Sequence, residues 1–286
     1  MSASFGARLH AAMGEFGPLC VGIDPHASLL EAWGLPDDVT GLRSFSLTVV
    51  EALGGRVAAF KPQAAFYERF GSAGVAVLEE TLAAARAVGT LTIVDAKRGD
   101  IGSTMAGYAS AFLDDASPLA GDALTVSPYL GFGSLRPAID LALANGKGLF
   151  VLCLTSNPEG ASVQHARLSD GTSVAASIAA QAAAVNAGAE PLGSIGLVVG
   201  ATIGDAVAGT GTDLTAVNGP LLAPGVGAQG AGPAELAQVF GAARGNVLAS
   251  SSRAVLAAGP SVAGLRSAAE RASAEARAAL RDNMGG

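Results

Sequence analysis

Short apolar runs rich in β-branched residues recur along the chain, and helical patterns fill most of the gaps between them. Alternating strands and helices are typical of a parallel sheet, and eight such units without a series of hairpins favour a closed barrel over an open sheet. The pattern therefore predicts an α/β fold, a (β/α)8 TIM barrel in which residues 1–286 form a single domain. The eight runs begin near Leu19, Val57, Leu91, Ala123, Leu149, Ile195, Leu221 and Val247.

Several helices can be predicted from the spacing of their apolar residues. Apolar residues recur at intervals of three and four over Val75–Val88 and over Val262–Leu280, and Pro260-Ser261 is a start signal for the second of these helices. The content of Gly102–Leu113 also favours a helix. The sixth unit is the weakest, because Thr202–Val217 is rich in Gly and Thr and its pattern does not define a helix.

Composition and charge argue against nucleic acid and membranes as partners of this chain. Half of the 286 residues are hydrophobic and the formal net charge is −7, with no run rich in Lys or Arg, which argues against nucleic acid as a partner. The chain shows neither the apolar core of a signal peptide nor an apolar run of membrane-spanning length, so no membrane partner is expected. Cys20 and Cys153 lie singly in apolar runs. We expect them to be reduced core residues of a cytoplasmic protein.

One segment places charges of alternating sign between a predicted strand and a predicted helix. It runs Val94-Asp-Ala-Lys-Arg-Gly-Asp-Ile-Gly-Ser-Thr104. Asp95 and Lys97, two residues apart at the end of a strand, should point the same way, with Asp100 a turn further on. Active sites of α/β barrels lie at this end of the strands. The simplest alternative is a solvated Asp–Lys pair on a loop.

The chain has only three lysines, and two of them follow predicted strands. A lysine at the end of a buried strand costs desolvation free energy unless it meets a carboxylate, and Lys61 lies on the strand next to Asp95. The sequence therefore predicts an alternating network of charges, with a purely structural ion-pair network as its alternative. The members of the predicted network are Lys61, Asp95, Lys97 and Asp100.

The last two strands end in residues suited to an anion. A glycine-rich loop follows strand seven and Arg253 follows strand eight, which is the usual position of a phosphate site in such barrels, completed by the N-terminus of a following helix. The fifth strand ends beside Ser156 and leads into a long polar loop that reaches about Asp170. Loops of that length tend to be lids or binding loops. The first strand ends at Asp24.

These residues together resemble the orotidine 5'-phosphate decarboxylase family, in the bacterial subgroup whose motif is D-A-K-R-G-D-I-G-S-T, here residues 95–104. The resemblance covers nearly the whole chain. It implies a barrel that needs no cofactor and no metal ion and converts orotidine 5'-phosphate (OMP) into UMP and CO2, the last step of UMP synthesis. Ser252 departs from the family pattern, since many relatives have glycine before the arginine.

The resemblance also implies a role for each site residue. Lys97 is the catalytic lysine, Asp95 is the first aspartate of the motif, and Lys61 completes the charge network. Asp100 would come from the partner subunit of a homodimer whose active site is shared across the interface, with Ile101 and Thr104 beside it. The remaining substrate-binding residues would be Asp24 at the ribose hydroxyls, Ser156 at the pyrimidine edge, and Gln229, Arg253 and the Pro224, Gly225 and Gly227 loop at the phosphate.

The chemistry fits these residue types. Loss of CO2 from C6 of the pyrimidine leaves a carbanion without an adjacent carbonyl as electron sink, so the site must supply a fixed positive charge and a proton, and Lys97 can supply both. Two alternatives remain at this point. One is a related phosphate-binding barrel in which the D-x-K motif ligates Mg²⁺ and stabilises an enediolate. The other is a phosphate-ligand sensor without catalysis.

Overall fold

The protein is a closed barrel of eight parallel strands, which confirms the predicted TIM barrel. The structure, a computed structural model, describes residues 3–226 and 230–281. The strands are hydrogen-bonded in the order of the chain, and β1 pairs with β8 to close the barrel. They are β1 Leu19–Ile23, β2 Ala59–Pro62, β3 Leu91–Arg98, β4 Ala123–Val126, β5 Gly148–Leu154, β6 Ile195–Val199, β7 Leu221–Pro224 and β8 Val247–Ser251.

The helices of the described residues surround the barrel. They are α1 Phe5–Phe16, α2 Ala27–Ala32, α3 Val39–Leu53, α4 Ala65–Glu68, α5 Gly71–Ala87, α6 Gly102–Leu113, α7 Arg136–Ala144, α8 Ala161–Gln164, α9 Val174–Val185, α10 Ala206–Thr210, α11 Pro233–Phe240, α12 Arg253–Leu256 and α13 Val262–Leu280. Three 3-10 turns, Phe132–Leu135, Pro158–Gly160 and Gly241–Asn246, connect them. In this part of the chain, no helix is both long enough and apolar enough to cross a membrane.

The helices predicted from spacing are confirmed, with one correction at an end. Helix α13 begins after Ser261, whose hydroxyl accepts a hydrogen bond from the Gly264 N–H at 3.0 Å and so satisfies a free donor of the first turn. Helix α5 ends one residue before Val88. Val88 was the last residue of the predicted helical pattern, but it lies just after the helix and is exposed because the chain turns there toward β3. The weak sixth unit has only the five-residue α10.

Helix α1 closes the N-terminal end of the barrel. Phe5 and Leu9 are fully buried against the interior residues Cys20 and Leu248, and the Phe5 ring meets the Phe150 ring edge-on at 6.0 Å. Because this end is filled by side chains, a ligand must enter from the opposite end, where the strands terminate.

The two cysteines belong to the core, as predicted. Cys20 and Cys153 are free and buried, and burial raises the pKa of each thiol to about 12, so both stay protonated at neutral pH.

A polar network fastens the same N-terminal end. The Asp122 carboxylate accepts a hydrogen bond at 2.6 Å from Arg8 of α1, and it also accepts hydrogen bonds from the Thr92 N–H at 2.9 Å and the Thr92 hydroxyl at 3.2 Å. These contacts join α1 to the beginnings of β3 and β4. They lie at the end of the barrel remote from the strand termini.

Candidate active site

A cavity of about 750 Å³ opens at the carboxyl ends of the strands. Residues from all eight strands, or from the segments that directly follow them, line it, which agrees with the position expected for the active site of a barrel. Its polar lining includes Asp24, His26, Lys61, Gln63, Asp95, Lys97, Thr125, Ser156, Ser252 and Arg253.

Two lysines bind the two oxygens of one aspartate at the inner wall of this cavity. Lys61 Nζ lies 2.9 Å from Asp95 Oδ2, and Lys97 Nζ lies 2.5 Å from Asp95 Oδ1. The side chains of Lys61 and Asp95 are each 7% exposed, whereas the Lys97 side chain is 45% exposed and faces the cavity. Of the two ammonium groups, that of Lys97 is therefore the one that a ligand can reach.

The charges of this cluster hold one another in the ionised state. Burial by itself would lower the pKa of Lys61, but the negative charges of Asp24 and Asp95 and the hydrogen bond to Asp95 outweigh it and raise the pKa above its ordinary value. Burial by itself would raise the pKa of Asp95, but the charges of Lys61 and Lys97 outweigh it and lower the pKa to about 2. At neutral pH the buried carboxylate is negative and Lys61 is positive.

The backbone at Lys97 departs from a regular strand. The pairing of β3 with β4 shifts register between Val94 and Arg98, and Lys97 has a φ of +46°, a conformation that a residue other than glycine seldom adopts. Gly99 then passes so close to the Ser127 carbonyl that a Cβ at this position would clash with it. This bulge turns the end of β3 across the cavity, and Lys97 projects from it.

Arg98 anchors the same segment on the outside of the barrel. Its guanidinium pairs with Glu68 of α4 and lies 5.6 Å from the centres of the Tyr108 and Phe112 rings of α6. These contacts tie the residue next to Lys97 to two helices.

Asp100 lies apart from the Lys97 of its own chain. Its carboxylate accepts a hydrogen bond from the Ile101 N–H at 2.8 Å, and among the described residues it forms no ion pair. Within one chain the predicted network thus contains Lys61, Asp95 and Lys97 but not Asp100. Ile101 and Thr104 are exposed beside it and point outside the chain's own cavity.

Asp24 follows β1 and lies on the wall of the cavity. Its carboxylate is buried, and Oδ1 has no hydrogen-bond partner among the described residues. A buried polar atom without a partner is costly. Asp24 therefore offers an acceptor to a ligand's hydroxyl group.

The predicted phosphate site is described in part. Pro224 ends β7 at the cavity and Gly225 follows it with a φ of +90°. Arg253 begins α12 on the same wall, and its guanidinium has no hydrogen-bond or ion-pair partner in the described part of the chain. Helix α12, which was expected to complete the site with its N-terminus, has only four residues, so the positive group that this wall presents is the side chain of Arg253. Gly227 and Gln229 lie outside the described residues.

Ser156 also lies at the cavity, after β5, at the start of the long polar loop. Gln164 of α8 fastens this loop to its base, since its amide oxygen accepts from the Thr155 N–H at 2.9 Å and its amide nitrogen donates to the Thr155 hydroxyl at 2.7 Å. Short helical turns interrupt the loop before α9.

Sequence reasoning missed several polar residues of the cavity wall, and three of them are Thr125, His26 and Gln63. Thr125 of β4 donates a hydrogen bond to Asp95 Oδ1, and His26 and Gln63 follow β1 and β2. His26 and Gln63 could have been found, because both lie within two residues of a predicted strand-end charge. Thr125 carries no such signal, since it stands inside an apolar run.

Within 3–226 and 230–281, no group of three or more His, Cys, Asp or Glu side chains is arranged to hold a metal ion.

Comparison with known proteins identifies the family. The model of the orotidine 5'-phosphate decarboxylase / HUMPS family matches residues 17–268. The chain belongs to this family. The matched segment contains Asp24, Lys61, Asp95, Lys97 and Arg253 of the cavity.

Individual relatives match over almost their full length. Orotidine 5'-phosphate decarboxylases of Salinispora tropica and Streptomyces coelicolor are 64% and 65% identical, over 97% and 96% of this chain and 98% of each relative. A crystal structure from Streptomyces avermitilis, provisionally given the same name, is 66% identical with a TM-score of 0.93, covering 98% of this chain and 96% of that one. Leishmania donovani OMP decarboxylase is 31% identical with a TM-score of 0.75, covering 97% and 98%.

Proposed function

We propose that this family member converts orotidine 5'-phosphate into UMP and CO2 in pyrimidine biosynthesis, without a cofactor, through a C6 carbanion that Lys97 stabilises and protonates. The observation that carries the proposal is the position of the Lys97 ammonium, bound to Asp95 at 2.5 Å yet facing the cavity. The names of the relatives that are 64–65% identical support the same activity.

The proposed step needs only the substrate, Lys97 and a proton from solvent. The bond between C6 and the carboxylate breaks, CO2 leaves, and the electron pair remains on C6. The positive charge of Lys97 stabilises this pair, and a proton from Nζ then forms the new C6–H bond. Because Asp95 and Lys61 already fix that charge, little reorganisation is needed during the reaction, which is the main source of electrostatic catalysis. Lys97 regains its proton from solvent.

The contacts of Asp95 favour this chemistry over a metal-stabilised enediolate. In that alternative the D-x-K motif would ligate Mg²⁺ through the aspartate. Here both Asp95 oxygens already bind ammonium groups, at 2.9 and 2.5 Å, and a third oxygen contact comes from the Thr125 hydroxyl. The carboxylate is arranged to orient cations of the chain itself.

The substrate would lie along the cavity from Arg253 to Lys97. We assign the phosphate to Arg253 and the loop of Pro224, Gly225 and Gly227 with Gln229, the ribose hydroxyls to Asp24, and the pyrimidine edge to Ser156. The Arg253 guanidinium and Asp24 Oδ1, neither of which has a partner among the described residues, support the first two of these contacts. Binding of the remote phosphate would close the loops after β5 and β7 over the pyrimidine and exclude water. Orotidine without its phosphate should then be a very poor substrate.

We further propose a homodimer that shares its active sites. Three large apolar side chains are exposed next to the cavity on the loops that follow β3 and β4, with Ile101 62%, Tyr129 77% and Leu130 52% exposed. A two-fold interface on these loops would bury them and carry Asp100, Ile101 and Thr104 to the other subunit's Lys97. This accounts for an Asp100 carboxylate that has no ion pair within the described part of its own chain.

The free, buried cysteines fit a cytoplasmic location.

The activity itself is tested by following the loss of OMP absorbance with and without EDTA. We expect equal turnover in both conditions and UMP as the product. Activity abolished by EDTA would favour the metal-dependent alternative, and binding of UMP without turnover of OMP would favour a sensor.

A further inference from the structure

Thr125 connects the main chain of Lys97 to the side chain of Asp95. The residue is 1% exposed and is the one polar member of the four-residue strand β4. Its hydroxyl oxygen lies 2.9 Å from the Lys97 backbone nitrogen and 2.9 Å from Asp95 Oδ1. An isolated hydroxyl inside an apolar strand is costly to bury unless it is hydrogen-bonded, so these two contacts explain why it is tolerated there.

The direction of both hydrogen bonds is fixed by the groups involved. The Lys97 N–H can only donate, and the Asp95 carboxylate can only accept, so the hydroxyl accepts from Lys97 and donates to Asp95. The same Oδ1 atom also accepts from Lys97 Nζ at 2.5 Å. The contacts form a closed ring from the Lys97 backbone through Thr125 and Asp95 to the Lys97 ammonium. The Lys97 ammonium therefore binds Asp95 Oδ1 directly, and the Lys97 backbone nitrogen is linked to the same oxygen through the Thr125 hydroxyl.

The ring lies at an interruption of the β-sheet pairing. The pairing of β3 with β4 shifts register between Val94 and Arg98, and Lys97 has a positive φ of 46°. Such a conformation persists only when the surrounding structure fixes it. The Thr125 side chain supplies a hydrogen-bond acceptor at the interruption of the ladder and so stabilises the turned backbone from which the lysine projects.

We infer that Thr125 is a positioning residue, which sets the direction of the Lys97 ammonium through Asp95 and the Lys97 backbone without touching the substrate's phosphate or ribose. This inference rests on the proposed decarboxylase function. It requires a specific pattern of effects, because a group that positions the proton donor contributes to the chemical step, whereas most of the binding energy comes from the remote phosphate.

The test replaces Thr125 with valine, which has the same shape but no hydroxyl, and with serine, which keeps the hydroxyl. For Thr125→Val we expect kcat to fall by about tenfold to a hundredfold while the KM for OMP and the Kd for UMP change by less than about threefold. Thr125→Ser should recover most of kcat. If Thr125→Val does not fold, Thr125→Ala and Thr125→Ser form an equivalent pair, since both lack the methyl group and differ only in the hydroxyl.

Thr92→Val is the matched control. Thr92 is also a buried threonine on a neighbouring strand, and its hydroxyl also bonds an aspartate, but that aspartate is Asp122 at the remote end of the barrel. We expect Thr92→Val to lower thermal stability and leave kcat unchanged. A kcat within about twofold of wild type for Thr125→Val, or a loss in Thr125→Ser as large as in Thr125→Val, would overturn the inference.

A second readout does not depend on turnover. The hydrogen bond to Thr125 should protect the Lys97 amide from exchange with solvent, so by NMR that amide should exchange at least about tenfold faster in Thr125→Val than in wild type or Thr92→Val. Equal exchange rates would contradict the positioning role. If the wild-type protein fails to turn over OMP while Thr125→Val still shows the faster exchange, the proposed function is refuted and the positioning contact stands.

Discussion

Lys61 and Lys97 bind opposite oxygens of the same carboxylate, that of Asp95, at 2.9 and 2.5 Å. The arrangement separates two tasks. Lys61 is buried and neutralises the aspartate permanently, which leaves Lys97 to present its charge and its proton to the cavity. If Lys97 were the only partner of Asp95, the buried carboxylate would lose its counter-charge whenever Lys97 turned toward a substrate.

The stability of this cluster should depend on pH in the acid range. The pKa of Asp95 is lowered in the folded state from 3.8 to about 2, so its stabilising contribution is complete above about pH 5 and is lost as the pH falls from 4 toward 2. The difference corresponds to roughly 2 kcal/mol. Denaturant unfolding of wild type and Asp95→Asn at several pH values should show a gap in unfolding free energy that narrows by about this amount below pH 4. A gap independent of pH would contradict the ion pairing.

The control for that experiment is Asp140→Asn. Asp140 pairs with Arg136 on an exposed helix surface, where ion pairs contribute little. We expect its unfolding free energy to follow that of wild type within about 0.5 kcal/mol at every pH.

Replacing Arg253 with alanine should mainly lower kcat/KM for the nucleotide substrate. A charge-assisted contact to phosphate contributes about 1.5 to 3 kcal/mol, so kcat/KM for OMP should fall by roughly tenfold to 150-fold, and more if the contact also drives loop closure. Steady-state kinetics of Arg253→Ala and Arg136→Ala provide the measurement and its control, since Arg136 is exposed and does not line the cavity. An unchanged kcat/KM in Arg253→Ala would place the phosphate elsewhere.

Sharing of the active site can be tested by mixing two inactive variants. Lys97→Ala and Asp100→Ala homodimers should each be nearly inactive, because each lacks one essential group in both sites. After subunit exchange with random pairing, half of the dimers are hybrids with one intact site, so about a quarter of wild-type activity should return. If exchange is verified and no activity returns, Asp100 acts within its own chain.

Much of the fold was predictable because strands and helices repeat local patterns. Seven of the eight predicted strand starts fall within one residue of the observed ones, and the second strand starts two residues late, at Ala59. Helix α13 has the predicted bounds. The approach of Lys61 to Asp95 was also predictable, since neighbouring strands of a parallel barrel end at the same face.

Other features depend on contacts that a single chain does not encode locally. The positive φ of Lys97 coincides with a register shift against β4, and the partner of Thr125 comes from a different strand. Neither leaves a pattern in the residues around it. The position of Asp100 was predictable only in part. Its spacing indicates that it turns away from the Lys97 of its own chain, but the group that it would contact belongs to another subunit.

The most direct test of the account is Lys97→Ala. The proposal gives Lys97 both the positive charge that stabilises the carbanion and the proton that C6 receives, while the phosphate is held at the other end of the cavity. Lys147→Ala is the control, because Lys147 is the remaining lysine of the chain and pairs with Asp115 away from the cavity. The decisive measurement is formation of UMP from OMP by the purified variants, together with calorimetric binding of UMP and a thermal melt. The account predicts that Lys97→Ala folds and binds UMP but forms no detectable product, while Lys147→Ala keeps the kcat of wild type. Turnover near the wild-type rate by a folded Lys97→Ala protein would contradict it.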